Sequence, residues 1–445
     1  MEKRIIFIFS LGIAFLLIVS PFAMAADTTE ETAETVEVAE PKKSPIKIGG
    51  AMRVNYAYGA YGDEDNPHPR GEKIGDVDLE IFRLNADLDY NNIISRLEYR
   101  WYDGYSMVHT AWLGYNLGDL GTVKAGIVRV PFGPTAYGVS TSWFFDQHFY
   151  VGLSDDMDLG VTWNDTFDKL TLDVGFFPMS DPQLIKYGSL ESSRYSYDVV
   201  KWETETYSEG ETGPVDHDKP DGEVETKSEW DVKPGVINGY DELLQFNLRA
   251  IYALENIGDF GVSAQYGLLK GTHVGDDDSG NHYAISAHAK NTFADFTLYS
   301  QFSYYAHNIA DETPWGTGDL IPMGAYDFAW PVASEGLIPA LSLRYGGIDT
   351  SSISWIDSVT PYAEWSTILK TVEDYNASTL VTLGASWTVL DTLYVYSDLA
   401  LTDGNFFVGN TGDAYGNILT GVNHVGANGN NQWHWRLNFN FGYYF

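Results

Sequence analysis

The chain has 445 residues, no cysteine, 44 Gly, 13 Trp, 30 Tyr and 23 Phe, and a formal net charge of −36. Without cysteine there are no disulfides, no thiolate metal sites and no covalent haem attachment. So acidic a balance argues against nucleic acid as a partner, because phosphate contacts need basic side chains.

Lys3 and Arg4 precede an apolar run from Ile5 to Val19, and Ala23-Met24-Ala25 fits signal-peptidase cleavage. Residues 1–25 therefore read as a secretory signal peptide, with the mature chain starting near Ala26. No other stretch reaches the roughly 20 apolar residues of a spanning helix. A mature membrane form must then be a closed barrel, which satisfies every backbone hydrogen bond in lipid. Residues 26–45 are polar and acidic and read as a flexible periplasmic leader, with a short helix over Thr32–Val38 as the alternative.

From Ile46 onward apolar and polar residues alternate with the period of a strand. In Ile46–Tyr58, Ile48, Met52, Val54, Tyr56 and Tyr58 fall on one face, and Lys47, Arg53 and Asn55 on the other. Ile81–Tyr90 and Ile93–Tyr102 follow, joined by the tight turn Asn91-Asn92. Met107–Asn116 and Thr122–Val130 are strands of less regular phase. Next come Leu159–Asn164, Leu170–Phe177, the very regular Leu244–Leu254, Phe260–Leu268, His282–Lys290 and Phe296–Tyr305. Leu337–Tyr345, Val359–Leu369, Thr379–Val389 and Leu393–Thr402 complete the series before the last strand, Trp433–Phe445. There Trp433, Trp435, Leu437, Phe439, Phe441, Tyr443 and Phe445 share a face. A terminal strand that stops on Phe445 has the form of a barrel-closing signal.

The expected fold is all-β: a transmembrane antiparallel barrel of about sixteen strands over residues 46–445. Connections alternate short and long, as periplasmic turns and outer loops should; Gly346–Ser358 is a long exception on the short side, and the connections after the third and thirteenth strands are short exceptions on the long side. The longest, 178–241, is strongly acidic. Arg53, Arg83, Arg96, Arg100, Arg249, Arg344 and Arg436 take inward positions. Arg129 joins them if Val128, Val130 and Phe132 face lipid, and Glu98 and Glu364 are inward acids. Either these arginines concentrate anions in an aqueous channel, or they pair with wall carboxylates, as Arg83 with Asp87 or Arg96 with Glu98.

After Arg129 the strand is broken by Pro131, Phe132, Gly133 and Pro134. An aromatic loop with Tyr137, Trp143, Phe144, Phe145, Phe149 and Tyr150 follows, then Asp155, Asp156 and Asp158. This segment resembles the phosphate-selective porin O/P family, whose third outer loop begins at such a Pro-Phe-Gly break, folds inward and narrows the pore. The resemblance implies a constriction loop after the fifth strand and a homotrimeric, anion-accepting porin. The family's phosphate-specific members carry dense arginine and lysine there; this loop has Arg129 and little else basic, which argues against phosphate specificity. The loop aromatics either form an apolar track for neutral solutes or pack the loop against the wall, and packing is the simpler reading.

No GxSxG, HExxH or P-loop occurs, and His109, His148 and His288 are scattered over separate segments, so no enzyme activity is expected. No cofactor or metal is expected either; Gly275–Gly280 has acidic residues without EF-hand spacing. The reading is an outer-membrane porin of a Gram-negative bacterium, passing small hydrophilic solutes with a weak lean to anions. Outer-membrane lipid, lipopolysaccharide and the barrel assembly machinery are its expected partners. The alternatives are a barrel that sheathes a partner such as a multihaem cytochrome, or an adhesin or receptor acting through its outer loops.

Overall fold

A computed structural model describes residues 44–59, 75–102, 105–181, 194–204, 236–271, 279–309, 318–326, 328–373, 375–405, 407–408 and 433–445. The signal-peptide and leader assignments, most of 178–241 and most of Gly275–Gly280 lie outside the described residues. The described residues form twenty strands: β1 (Ile46–Gly59), β2 (Asp76–Tyr90), β3 (Ile93–Trp101), β4 (Ser106–Asn116), β5 (Thr122–Arg129), β6 (Met157–Phe167), β7 (Leu170–Met179), β8 (Arg194–Val199), β9 (Lys201–Thr204), β10 (Val236–Leu254), β11 (Gly258–Gly271), β12 (Ser279–Phe293), β13 (Phe296–Asn308), β14 (Leu320–Tyr326), β15 (Phe328–Ala333), β16 (Glu335–Tyr345), β17 (Ile356–Lys370), β18 (Ser378–Val389), β19 (Leu393–Thr402) and β20 (His434–Tyr444).

Sixteen of them pair antiparallel in chain order and close on themselves through β1 and β20, from Ala51 opposite Tyr444 to Gly59 opposite Arg436. The last residue finishes the seam: Phe445 donates its N–H to the Gly50 carbonyl at 3.1 Å and accepts from Gly50 N–H at 3.0 Å. Closure leaves the sixteen-stranded wall without an edge strand, so no row of unpaired backbone groups faces lipid. β9 extends the sheet against the start of β10. At the rim that carries Ile46 and Phe445 (the near rim), turns are tight, and Asn91, Asp168, Asn256 and Ala294 adopt the positive φ that two-residue hairpin turns require.

The two faces of the wall differ as the alternation predicts. Ile48, Leu84, Leu97, Leu113, Phe246, Leu248, Val262, Ile285, Phe302, Leu341, Leu383 and Phe441 are exposed on the outside. Aromatic rings gather at both rims, Trp101 and Trp433 at the far one and Tyr90, Phe293, Phe296 and Tyr443 at the near one. An apolar belt between aromatic girdles is the outer surface of a barrel matched to lipid. The irregular phase of β4 has a local cause: Glu98 pairs with Thr110 and Tyr99 with Val108, so His109 is an extra, bulged residue. A second bulge leaves Glu80 unpaired between Leu79 and Ile81, so β2 begins earlier than alternation alone suggests.

The far half of the lumen is filled by the chain itself. β8, from the connection between β7 and β10, pairs with β14, and β14 with β15, from the connection between β13 and β16. This three-stranded inner sheet is separate from the wall. Tyr197, Val199, Ile321, Met323 and Val332 pack with Phe149, Tyr150 and Val151 against inward wall residues such as Tyr305, Ile338, Ile368 and Leu380. Apolar burial thus holds the inner sheet in place, at about 25 cal/mol per Å² of apolar surface covered.

Candidate channel constriction

β5 leaves the wall at Arg129, and Pro131 ends its ladder by removing a donor. Gly133 then turns at φ 71°, and its N–H donates to Ser263 Oγ at 3.1 Å. The segment crosses the barrel and is pinned at each wall it meets. Arg344 Nη2 donates to the Val139 carbonyl at 2.7 Å. Glu364 accepts from Ser140 Oγ and Thr141 N–H, both at 2.6 Å, and from Ser342 Oγ at 2.9 Å. Asp398 accepts from Trp143 N–H at 3.0 Å, and the Trp143 indole reaches the far wall to donate to Glu80 at 3.0 Å. On the return, His148 bridges Asp146 at 2.9 Å and Ser303 at 2.8 Å. The loop after the fifth barrel strand is therefore folded into the lumen, as its resemblance implied.

Between this loop and the wall formed by β1–β3, β19 and β20 lies a cavity of about 1160 Å³. Arg53, Arg83, Arg100 and Arg436 line it from the wall side, with Tyr137, Trp143, Phe145 and Asp155 opposite. Each arginine is held. Arg53 forms a two-pronged pair with Glu80. Glu98 sits beneath three guanidinium groups, Arg100 at 2.7 Å, Arg96 at 2.8 Å and Arg83 at 3.2 Å, and Arg96 also reaches Asp87 at 3.0 Å. The expected Arg96–Glu98 pair forms; Arg83 takes Glu98 rather than Asp87, because Glu98 is its diagonal neighbour across the β2–β3 ladder, while Asp87 lies four residues along its own strand, opposite Arg96. Arg436 has neutral partners, the Phe407 carbonyl at 3.0 Å and Asn438 at 2.7 Å, and lies 4.7 Å over the Trp143 ring.

Apart from Asp87, which is as exposed as its partner Arg96, the carboxylates lie deeper than the arginines they pair with. Glu98 is 2% exposed against 23% for Arg83 and 35% for Arg96, and Asp155 is 2% exposed against 37% for Arg129. The layer that meets water is thus mostly guanidinium, and the acids that fix it are set into the wall. Ion pairs of this half-buried kind specify geometry more than they add stability.

The other residues singled out in the sequence fall into two groups. Arg249, Arg344 and Glu364 are spent on the loop and wall: Arg249 pairs with Asp173 at 2.8 Å and touches the Gly133 carbonyl, and Arg344 stacks 4.1 Å over Tyr299. Arg129 bonds Asp155 at 2.6 Å and lies over Tyr137. The condition attached to it fails, however. Val128 and Val130 do not face lipid but pack on Phe177, and Phe132 belongs to the inner apolar core. Once β5 peels inward both its faces are covered, and alternation no longer reports which one is wet. Of the loop aromatics, Phe144, Phe149 and Tyr150 are packing residues, while Tyr137, Trp143 and Phe145 border the cavity. Pro131 and Phe132 are buried, and Asp156 sits behind the loop at the top of β6. His109, His148 and His288 are all buried.

Sequence reasoning missed Glu80, Tyr195, Tyr326, Tyr396 and Tyr444, which also line the cavity. Glu80 was hidden by its bulge. Tyr195 and Tyr326 belong to the inner sheet, whose only sign was the alternation of Tyr195, Tyr197 and Val199 with Ser196 and Asp198 in a stretch read as loop.

No family model matches the sequence, and no curated protein matches it. Solved structures do match in fold. OmpT of Vibrio cholerae, an outer membrane protein seen in trimer form, is 12% identical over 90% of this chain and 99% of that one, with a TM-score of 0.51. The outer membrane channel DcaP of Acinetobacter baumannii is 9% identical over 90% and 97%, at 0.52. An anion-selective porin from Comamonas acidovorans is 11% identical over 90% and 99%, at 0.50. At such identities the likeness is one of fold: a closed sixteen-stranded porin-type barrel.

Proposed function

We propose that this chain is an outer-membrane porin, a water-filled channel for passive diffusion of small hydrophilic solutes with a weak preference for anions. The observation that carries the reading is the pinned loop, which narrows the lumen to an arginine-lined cavity of about 1160 Å³. Guanidinium groups facing water over buried carboxylates give a short-range positive field, which raises local anion concentration. The apolar belt and aromatic girdles support placement in the outer membrane of a Gram-negative bacterium, with lipid and lipopolysaccharide as surroundings and the barrel assembly machinery recognising the strand that ends at Phe445. A homotrimer and a non-enzymatic role fit the same reading, as do a trimeric and an anion-selective barrel among the similar folds.

Phosphate selectivity gains no support, because the arginines nearest the loop already have carboxylate or carbonyl partners. A sheath for a multihaem partner loses support, because the lumen is occupied by the chain's own inner sheet and loop.

The test is the reversal potential of the refolded mature chain in a planar bilayer across a KCl gradient. A chloride-leaning sign in 0.1 M salt that fades near 1 M is expected, since screening shortens from about 10 Å to about 3 Å. Cation selectivity would overturn the anion preference, and an absence of conductance steps would overturn the porin reading in favour of a receptor acting through its outer loops.

A further inference from the structure

The far rim holds a group of acids that the channel does not use. Asp156 and Asp158 stand at the start of β6, and Asp198 on β8 of the inner sheet faces them. All three are buried, and one carboxylate oxygen from each lies within 4.8 Å of the others. Asp181 and Glu242 are buried nearby and act on the same charges. Glu242 accepts from Val199 N–H at 3.0 Å, and Asp181 from Tyr195 N–H at 3.1 Å, so both also hold β8.

A second observation separates this group from an ordinary acidic patch. The Oδ1 atoms of Asp156 and of Asp158 are buried and have no hydrogen-bond partner. Asp158 keeps a single long contact from Gln245 Nε2, 3.4 Å, on its other oxygen. Among the described residues no lysine or arginine pairs with either one. Every arginine of the lumen wall has a partner, so the lack of one here is local. Asp198, Glu242 and Asp181 crowd the same pocket, and the side-chain hydrogen bond of Asp156 runs to Asp198, inside the cluster. A buried carboxylate oxygen without partner or counter-charge is costly, and buried charges are normally paired or bound to a metal.

We propose that Asp156, Asp158 and Asp198 form a Ca²⁺ site that fastens the inner sheet to the rim of the barrel. The donors are all hard oxygens from carboxylates, the set that Ca²⁺ takes at about 2.3–2.6 Å. Oxygens on opposite sides of such a sphere are about 4.6–5.2 Å apart, so a cluster within 4.8 Å fits one ion. Mg²⁺ demands about 2.0–2.1 Å and near-octahedral order, and retains its waters, which suits a dry pocket poorly. The expectation of no metal rested on looking for local spacing in sequence. Here Asp198 joins from a separate connection, 40 residues beyond Asp158 in chain order.

The experiment uses the folded mature chain in detergent, stripped with EDTA, dialysed into metal-free buffer, and titrated with CaCl₂ by calorimetry. One saturable site per chain is expected, not displaced by equal Mg²⁺, with a rise in thermal unfolding temperature on Ca²⁺ addition. Asp156→Asn/Asp158→Asn should weaken binding by at least about tenfold, since even outer-sphere changes cost that much. If that pair of changes prevents folding, Asp198→Asn, which leaves every barrel strand intact, serves instead. Asp349→Asn, in an exposed near-rim turn, should change nothing. Absence of a saturable Ca²⁺ site in the parent chain, or a site that persists in Asp198→Asn, overturns the proposal.

Discussion

Glu98→Gln isolates the charge argument for the channel. The substitution keeps the side-chain shape and removes one negative charge from beneath Arg83, Arg96 and Arg100. In that group three guanidiniums are offset by Glu98 and Asp87, so its net charge goes from +1 to +2. A permeant ion about 7 Å away, separated by water, would feel about 0.6 kcal/mol from one added charge. Screening at 0.1 M salt, with a length of about 10 Å, halves this to about 0.3 kcal/mol. Anions are then favoured and cations disfavoured by about 1.7-fold each, so the chloride-to-potassium permeability ratio should rise about threefold. Near 1 M salt the same arithmetic leaves a change of about 1.2-fold. The structural cost should be about 1–3 kcal/mol, less than for a fully buried pair because the arginines can turn to water. Reversal potentials of parent and variant at both salt concentrations, on protein that retains its strand signal in circular dichroism, make the comparison. An unchanged ratio at 0.1 M, or a shift toward potassium, refutes the idea that buried acids set the balance of the arginine layer. Glu80→Gln beneath Arg53 should move the ratio in the same direction, which guards against a folding artefact at one site.

Trp143→Ala removes the side chain that spans from the loop to Glu80 and stacks under Arg436. Single-channel conductance should rise, at a cost of about 2–4 kcal/mol in loop packing; a conductance equal to the parent's would mean that Trp143 does not narrow the path. Glu364→Gln weakens three contacts that pin Ser140, Thr141 and Ser342, by about 1–2 kcal/mol in all. Open-channel noise should increase, and a recording as quiet as the parent's would show that the other anchors suffice. Deleting Phe445 removes both backbone bonds to Gly50, about 1 kcal/mol each, from the closing seam. Folding into lipid vesicles, followed by the heat-dependent gel shift of the barrel, should slow; equal rates would separate the terminal residue from closure.

The barrel was legible because its signal is repeated. Each strand must show lipid one face and a wet lumen the other, so Leu244–Leu254 or Trp433–Phe445 can be read from period alone. Reading failed wherever that two-solvent rule lapses. At His109 and Glu80 a bulge shifts the phase by one residue. At Val128 and Val130 both faces are covered by protein. In β8 and β14 neither face meets lipid, so Leu320–Tyr326 and Arg194–Val199 carry no membrane signature. Likewise Arg53, Arg83 and Arg436 were recognisable by their strand positions, but the partners that decide their electrostatic weight come from neighbouring strands and the loop.

The inner sheet also constrains the order in which the molecule can be completed. β8 comes from one connection and its partner β14 from another, with four wall strands synthesised between them. Their joint core rests on Ile338, Ile368 and Leu380, which belong to strands later still. A barrel caught before β16–β18 are in place therefore offers only the part of that surface that Tyr240, Leu269, Ala284 and Tyr305 supply. Such an intermediate could seat its filling only in part, and the narrow passage takes its final form only once the wall is nearly whole.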